Sequence, residues 1–234
     1  LFLYLIVGFG SFAALSLLIG SQVEELNTAV TFALFMANFV CLSGTTYLLG
    51  IRRGKISWEG LGIRPLRWEI TWLFGAAGLA ILLIPGRGLL GVAVQLLIDG
   101  NLDSLNARSN LIMGGSMTFS WVGFFLTLLG AGILVPISEE LYFRGLLHTW
   151  FWQATPRFWL RVFASATIFG LAHYDSIGVV VASFVIGVIN AILYEKTKSL
   201  FAPIIVHMTT NSVATVFLFL ILALSEMFPE FFPT

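Results

Sequence analysis

The sequence predicts an all-α, polytopic membrane protein, and three observations support this fold class. Of the 234 residues, 58% are hydrophobic and only 10% are charged, whereas soluble globular domains carry about 25% charged residues. The apolar residues form blocks of roughly 18–27 residues, and about 20 apolar residues suffice for a helix to cross a bilayer. Polar and charged side chains collect in the short segments between these blocks.

Seven apolar segments are expected to form membrane helices. They lie near 1–20, 29–50, 70–98, 118–153, 159–173, 177–194 and 201–224. Pro136 should break the fourth segment and Pro85 should interrupt the third, because proline lacks a backbone donor and clashes with the preceding helical turn. Arg87 follows Pro85 closely, and the sequence leaves its surroundings open.

The charge distribution predicts the topology. Nine of the twelve basic residues lie in three connecting segments, which we call the basic loops: 51–69, 154–161 and 195–200. The positive-inside rule places all three in the cytoplasm, so we expect a multi-pass protein of a prokaryotic cell membrane. Twelve acidic residues balance the basic ones, and this balance argues against nucleic acid as a partner.

One apolar segment contains a cluster of charged residues. Glu139, Glu140 and Arg144 lie deep in residues dominated by Leu, Val, Phe and Gly, and intramembrane charges usually serve function. On a helix Glu140 and Arg144 share a face, which permits a buried ion pair, and His148 continues the same line. Glu139 is rotated by about 100° and is left free for chemistry.

A structural alternative accounts for these acidic residues without any function. Ser138 would cap the start of a new helix, and the two glutamates would occupy its first turn, where the helix macrodipole favours negative charge. This alternative predicts no further polar residues on other apolar segments.

Two other apolar segments do carry polar residues. His173 lies one turn after Phe169, while His207 and Asn211 lie one turn apart on the last segment. Each could simply form a hydrogen bond between helices. At a rise of about 1.5 Å per residue, however, these residues and Glu139 all reach the cytoplasmic half or the midplane. One water-filled cavity open to the cytoplasm could therefore hold all four.

These residues form three motifs that follow one another on successive apolar segments: Glu139-Glu140-x-x-x-Arg144, Phe169-x-x-x-His173 and His207-x-x-x-Asn211. In this order they resemble the motifs of the CAAX-protease and bacteriocin-processing family (CPBP, or Abi), which are intramembrane glutamate endopeptidases. The resemblance covers 116–225 and implies a four-helix catalytic core there. Residues 1–115 would form accessory transmembrane helices.

The resemblance also implies roles for individual residues. Glu139, assisted by His173, would activate a water molecule for attack on a peptide bond. His207 and Asn211 would stabilise the resulting oxyanion. Glu140 and Arg144 would support the site. The implied substrate is a peptide or protein, either membrane-anchored or lipidated, that meets the enzyme in the bilayer.

Two other classes of function remain open at the level of sequence. A proton-coupled transporter could use the same buried carboxylates, imidazoles and guanidinium as a relay, although the inverted repeats common in transporters are not visible. A non-catalytic membrane adaptor could also retain the cluster.

A zinc site is the main chemical alternative. His173, His207 and one glutamate could bind zinc with an open coordination position. The spacing of His207 and Asn211 suits two oxyanion donors better, and only Thr209 and Thr210 stand near His207 as acceptors that could orient a metal ligand. We therefore expect no cofactor.

Overall fold

Eight helices make up most of the computed structural model, which describes residues 1–20, 27–64, 70–115 and 118–231. In chain order they are α1 (Phe2–Leu18), α2 (Thr28–Ile51), α3 (Ile70–Asp99), α4 (Asp103–Ile112), α5 (Trp121–Ala154), α6 (Phe158–Leu171), α7 (Ile177–Thr197) and α8 (Phe201–Met227). A short 3-10 turn, Pro229–Phe231, follows α8. The described residues contain no β-strand, so the all-α prediction is confirmed.

Five of these helices are long and apolar enough to cross a membrane: α2, residues Ala77–Asp99 of α3, α5, α7 and α8. Helices α1 and α6 are apolar but shorter. On α3, Leu82, Leu89 and Leu97 are at least 73% exposed, as expected for side chains that face lipid rather than water. The chain is therefore a polytopic helical bundle, as the sequence predicts.

The predicted breaks at Pro136 and Pro85 are wrong, because α5 and α3 both continue through their prolines. Two π-helical stretches, Leu128–Leu134 and Leu141–His148, flank the short α-helical stretch that contains Pro136. The wider π-helical turn gives the proline ring more room against the preceding carbonyl groups.

Helix α8 also compensates for the donor that Pro136 lacks. The carbonyl oxygens of Ala131 and Gly132 lie one turn before the proline, where its missing N–H group would otherwise bond. Asn211 Nδ2 donates to Ala131 O at 3.3 Å, and Ser212 Oγ donates to Gly132 O at 3.2 Å. The proline therefore couples α5 to α8 instead of ending α5.

The three basic loops meet at one end of the bundle. The backbone N–H of Leu200 donates to Gly62 O at 3.0 Å, and Arg161 Nε donates to Glu195 Oε1 at 2.6 Å. These contacts agree with the prediction that the loops share one side, although Arg67 lies outside the described residues. The assignment of that side to the cytoplasm stays a prediction.

Close packing places α7 at the centre of the bundle, against α6, α3 and α8. Gly178 of α7 faces the backbone of Gly91 in α3, and a Cβ atom at Gly178 would collide with the Gly91 carbonyl group. A glycine is therefore required where α3 and α7 approach each other. This approach places α3 beside the helices that carry the polar motifs of the sequence.

Candidate active site

Glu140 is the centre of a buried polar network. Its side chain is fully buried, and Oε1 accepts a hydrogen bond from Arg144 Nη1 at 3.0 Å. Oε1 also accepts from Asn190 Nδ2 at 3.0 Å and lies 2.8 Å from His207 Nδ1. The predicted ion pair between Glu140 and Arg144 is confirmed, and three helices contribute to the network.

Arg144 adds a second contact with α7 and extends this network to α6. Its Nη2 donates to the backbone oxygen of Gly187 in α7 at 3.1 Å. Its guanidinium lies 4.4 Å from the centre of the Phe169 ring in α6, a distance at which a cation and an aromatic face attract each other. Arg144 thus joins α5 to α6 and α7 inside the bundle.

Glu139 faces different surroundings from Glu140. Its Oε2 atom is buried and has no hydrogen-bond partner among the described residues. Its carboxylate borders a cavity of about 720 Å³ between α1, α2, α5 and α6, and it is the only charged side chain in the described lining. The other lining residues are mostly apolar, including Phe9, Phe12, Leu42, Phe143, Ile168 and Leu171.

His207 links the two carboxylates. With Nδ1 bonded to Glu140, its Nε2 atom points toward Glu139 Oε2, at a distance of 3.7 Å. This separation is too long for a direct hydrogen bond, but a water molecule can bridge such groups. The ring of Phe169 contacts the His207 imidazole edge-on, with 5.6 Å between ring centres.

His173 also contacts the ring of Phe169, with 4.9 Å between ring centres. Its Nδ1 is 2.9 Å from the Phe169 carbonyl oxygen. Since a carbonyl oxygen only accepts, Nδ1 must carry the proton in a neutral ring and Nε2 must be an acceptor. Within the described residues no hydrogen bond or ion pair joins His173 to Glu139. The predicted assistance of Glu139 by His173 therefore stays a prediction.

Asn211, predicted to stabilise an oxyanion, uses both ends of its amide. Nδ2 donates to Ala131 O, and Oδ1 accepts from Arg87 Nη1 at 3.1 Å. Asn211 also lies one helical turn after His207, so both side chains project from the same face of α8. The structure therefore keeps Asn211 near His207 and adds Arg87 as its partner.

Two residues of this region were not assigned a role from the sequence. Asn190, which bonds Glu140, is a polar side chain inside the apolar segment 177–194, and its intramembrane position could have identified it. The partner of Arg87 could not have been found, because Asn211 lies 124 positions away.

His148 lies four residues after Arg144 and contacts the same helix, α7. Its Nε2 lies 3.0 Å from Glu195 Oε1, at the end of the bundle that carries the basic loops. Glu140 and Arg144 also bond to residues of α7, which agrees with the prediction that His148 continues their line. Glu195 also accepts from Arg161 and Lys198.

The arrangement of the histidines bears on the zinc alternative. In the described part of the chain, no three His, Cys, Asp or Glu side chains lie close enough to hold a metal ion. The structure supplies an acceptor that lies far from His207 in the sequence, because the Glu140 carboxylate accepts from His207 Nδ1. The expectation of no cofactor stays a prediction.

Comparison with known proteins gives an independent indication of the family. Residues 121–213 match the family model described as type II CAAX prenyl endopeptidase, Rce1-like. An Escherichia coli protein named "Uncharacterized 24.3 kDa protein" is 26% identical over 155 residues, which are 63% of this chain and 64% of the relative. The Bacillus subtilis protein "Putative membrane peptidase YdiL" is 30% identical over 87 residues, which are 37% of this chain and 35% of the relative.

The chain thus spans less than two thirds of the length of these curated relatives, and no solved structure matches it. The matched residues 121–213 contain all three motifs identified in the sequence. The predicted resemblance to CAAX proteases is confirmed, because residues 121–213 match the family model of the Rce1-like type II CAAX prenyl endopeptidases.

Proposed function

We propose that this chain is an intramembrane endopeptidase in which Glu139 activates the attacking water. The observation that carries the proposal is the position of Glu139, whose carboxylate borders an apolar cavity while Oε2 is free of any described hydrogen-bond partner. A peptide in that cavity would meet a carboxylate in surroundings of low dielectric, where it acts as a stronger base than in water. The match of residues 121–213 to the Rce1-like family model supports the same reaction.

The proposed reaction is a hydrolysis in two steps. Glu139 takes a proton from water, and the hydroxide oxygen adds to the scissile carbonyl carbon to form a tetrahedral oxyanion. Glu139 then returns the proton to the leaving nitrogen, and the C–N bond breaks. General acid–base catalysis of this kind contributes about 10²–10⁴ in rate.

The two histidines would serve different purposes. His207 Nδ1 donates to the Glu140 carboxylate, so its Nε2 carries a proton only when the ring is an imidazolium; in that form Nε2 would donate to the oxyanion beside Glu139. His173 Nδ1 donates to the Phe169 carbonyl group, so Nε2 of the neutral ring could accept a hydrogen bond from the attacking water. The role of His173 follows from which ring nitrogen is already occupied, whereas the role of His207 also requires a second proton on its ring.

The cavity favours a substrate with an apolar segment next to the scissile bond. The lining carries aromatic and aliphatic side chains from α1, α2, α5 and α6, which suits a membrane-anchored or lipidated peptide. Because the basic loops share one end of the bundle, we place that end in the cytoplasm. The substrate would reach the cavity from the cytoplasmic leaflet.

The proposal is tested by cleavage assays on the purified chain in detergent. Two quenched fluorescent peptides serve as probes, one ending in a prenylated Cys-aliphatic-aliphatic-X sequence and the other identical but unprenylated. The wild-type chain should cleave at least one, and Glu139→Gln should lower the rate by a factor of about 10² or more. Glu59→Gln, at an exposed position in a basic loop, is the matched control and should cleave normally.

Two outcomes would contradict this function. One is a wild-type chain that cleaves neither peptide. The other is a Glu139→Gln variant that remains folded, as judged by size-exclusion chromatography, and keeps the wild-type rate.

A further inference from the structure

Arg87 occupies an energetically costly position. It lies within the membrane-spanning residues Ala77–Asp99, 12 residues before the end of α3, or about 18 Å along a helix axis. A guanidinium at this depth normally faces a cavity or an anionic partner. Within the described residues, however, no carboxylate lies at ion-pair distance from Arg87.

The other two arginines outside the basic loops are neutralised. Arg144 pairs with Glu140, and Arg108 pairs with Asp175. Arg87 therefore brings a positive charge to this part of the bundle that no described carboxylate pairs with directly, although Glu139 attracts it over a longer distance. An anion that exists only during the reaction would supply the missing negative charge.

The hydrogen bond of Arg87 determines the orientation of the Asn211 amide. A guanidinium can only donate, so Asn211 Oδ1 must face Arg87 and Nδ2 must point away from it. One N–H of Nδ2 donates to Ala131 O at 3.3 Å, and the amide nitrogen carries a second N–H. Without Arg87, only the hydrogen bond to Ala131 O would hold the amide in this orientation.

We propose that Arg87 is a positioning residue of the active site. It holds the Asn211 amide with its second N–H toward the reacting carbonyl group, on the face of α8 that also carries His207. The Arg87 charge, which has no partner at ion-pair distance among the described residues, stabilises the oxyanion through Asn211, in surroundings where a fixed charge is poorly screened. Helix α3 lies outside residues 121–213, so the accessory part of the chain would contribute to catalysis.

This inference rests on the proposed function, and a double-mutant cycle tests it. The variants are Arg87→Gln, Asn211→Ala and the combination, assayed with whichever peptide the wild-type chain cleaves. Arg87→Gln should lower kcat by about tenfold, below the cost of losing an oxyanion donor itself, and leave KM within about twofold. In the Asn211→Ala background, Arg87→Gln should lower kcat little further, because Arg87 acts through the Asn211 amide and that amide is absent.

Two additional variants separate positioning from a general structural role. Arg87→Lys retains the charge and a donor, so it should recover part of the lost kcat. Arg157→Gln, at an exposed position in a basic loop, should leave kcat unchanged. Thermal midpoints measured on the same samples show whether any variant acts through stability.

The outcomes distinguish the two proposals. Equal losses of kcat from Arg87→Gln in both backgrounds, or a lower thermal midpoint with unchanged kcat, would overturn the role of Arg87 and leave the endopeptidase proposal standing. Absence of cleavage by the wild-type chain, or cleavage that does not depend on Glu139, would overturn the proposed function and this inference with it.

Discussion

At the scale of single residues, two adjacent glutamates have acquired opposite surroundings. Consecutive residues on a helix point about 100° apart, so Glu140 meets α7 and α8 while Glu139 meets the cavity. Glu140 Oε1 has three side-chain hydrogen-bond partners. Among the described residues, Oε2 of neither glutamate has a hydrogen-bond partner, but only Glu139 borders the cavity. The Glu140 carboxylate thus holds helices together, and the Glu139 carboxylate is available for reaction.

The buried pair between Glu140 and Arg144 should be essential for stability. Arg144→Ala would leave the Glu140 carboxylate buried without its cation, a change that typically costs about 3–5 kcal/mol. We expect a clearly lower thermal midpoint in detergent, together with reduced cleavage. Combining Arg144→Ala with Glu140→Gln should recover part of the midpoint, and a midpoint unchanged by Arg144→Ala would argue against the pair.

The chemistry of His173 and His207 can be tested by removing metals. We expect the purified chain to hold substoichiometric zinc by elemental analysis and to keep most of its activity after dialysis against a strong chelator. Stoichiometric zinc, with activity lost on chelation and restored by added metal, would instead identify the histidines as zinc ligands. Glu140 would then orient His207 as a metal ligand.

At the scale of elements, the position of α3 depends on glycine. Gly178→Ala should lower the thermal midpoint, because its Cβ atom would meet the backbone carbonyl group of Gly91, which cannot move without displacing α3. Gly78→Ala is the matched control on α3, since nothing lies within 4 Å of its added Cβ. This control should be neutral or stabilising by up to about 1 kcal/mol, the difference in helix propensity.

The same pair of variants links packing to activity. Displacement of α3 would also displace Arg87, so Gly178→Ala should lower kcat as well as the thermal midpoint. Gly78→Ala should preserve both. If Gly178→Ala had the same thermal midpoint as Gly78→Ala, the close approach of α3 and α7 would not be required for folding.

At the scale of the whole molecule, the basic loops predict how the bundle is oriented in the membrane, with their end in the cytoplasm. Cysteines introduced at Lys55 and Lys196, both exposed, should react with a membrane-impermeant reagent from the same side. A cysteine at Asn106, on α4, should react from the opposite side. The background is Cys41→Ala, which removes the only native cysteine.

Labelling of positions 55 and 196 from opposite sides would overturn this topology. Labelling of both positions from outside the cell would agree with the helical bundle but show that its orientation in the membrane is reversed. In that case the substrate would have to approach from the outer leaflet.

Much of the fold and part of the site follow from local features of the sequence. Hydropathy located all seven apolar segments, because a membrane helix needs a continuous apolar stretch and satisfies its own backbone groups. The four-residue spacing of Glu140 and Arg144 placed them on one face of a helix, and their ion pair depends on little else. The three motifs that indicate the family are local in the same sense.

The tertiary structure alone decided the contacts between helices. The cavity beside Glu139, the pairing of Arg87 with Asn211 and the pairing of His148 with Glu195 all join segments far apart in the chain. Such contacts depend on how each helix is rotated and shifted against its neighbours, which apolar composition does not specify because lipid and helix interiors are equally apolar. At Pro136, π-helical turns and donors from α8 allow α5 to continue where local rules predict a break.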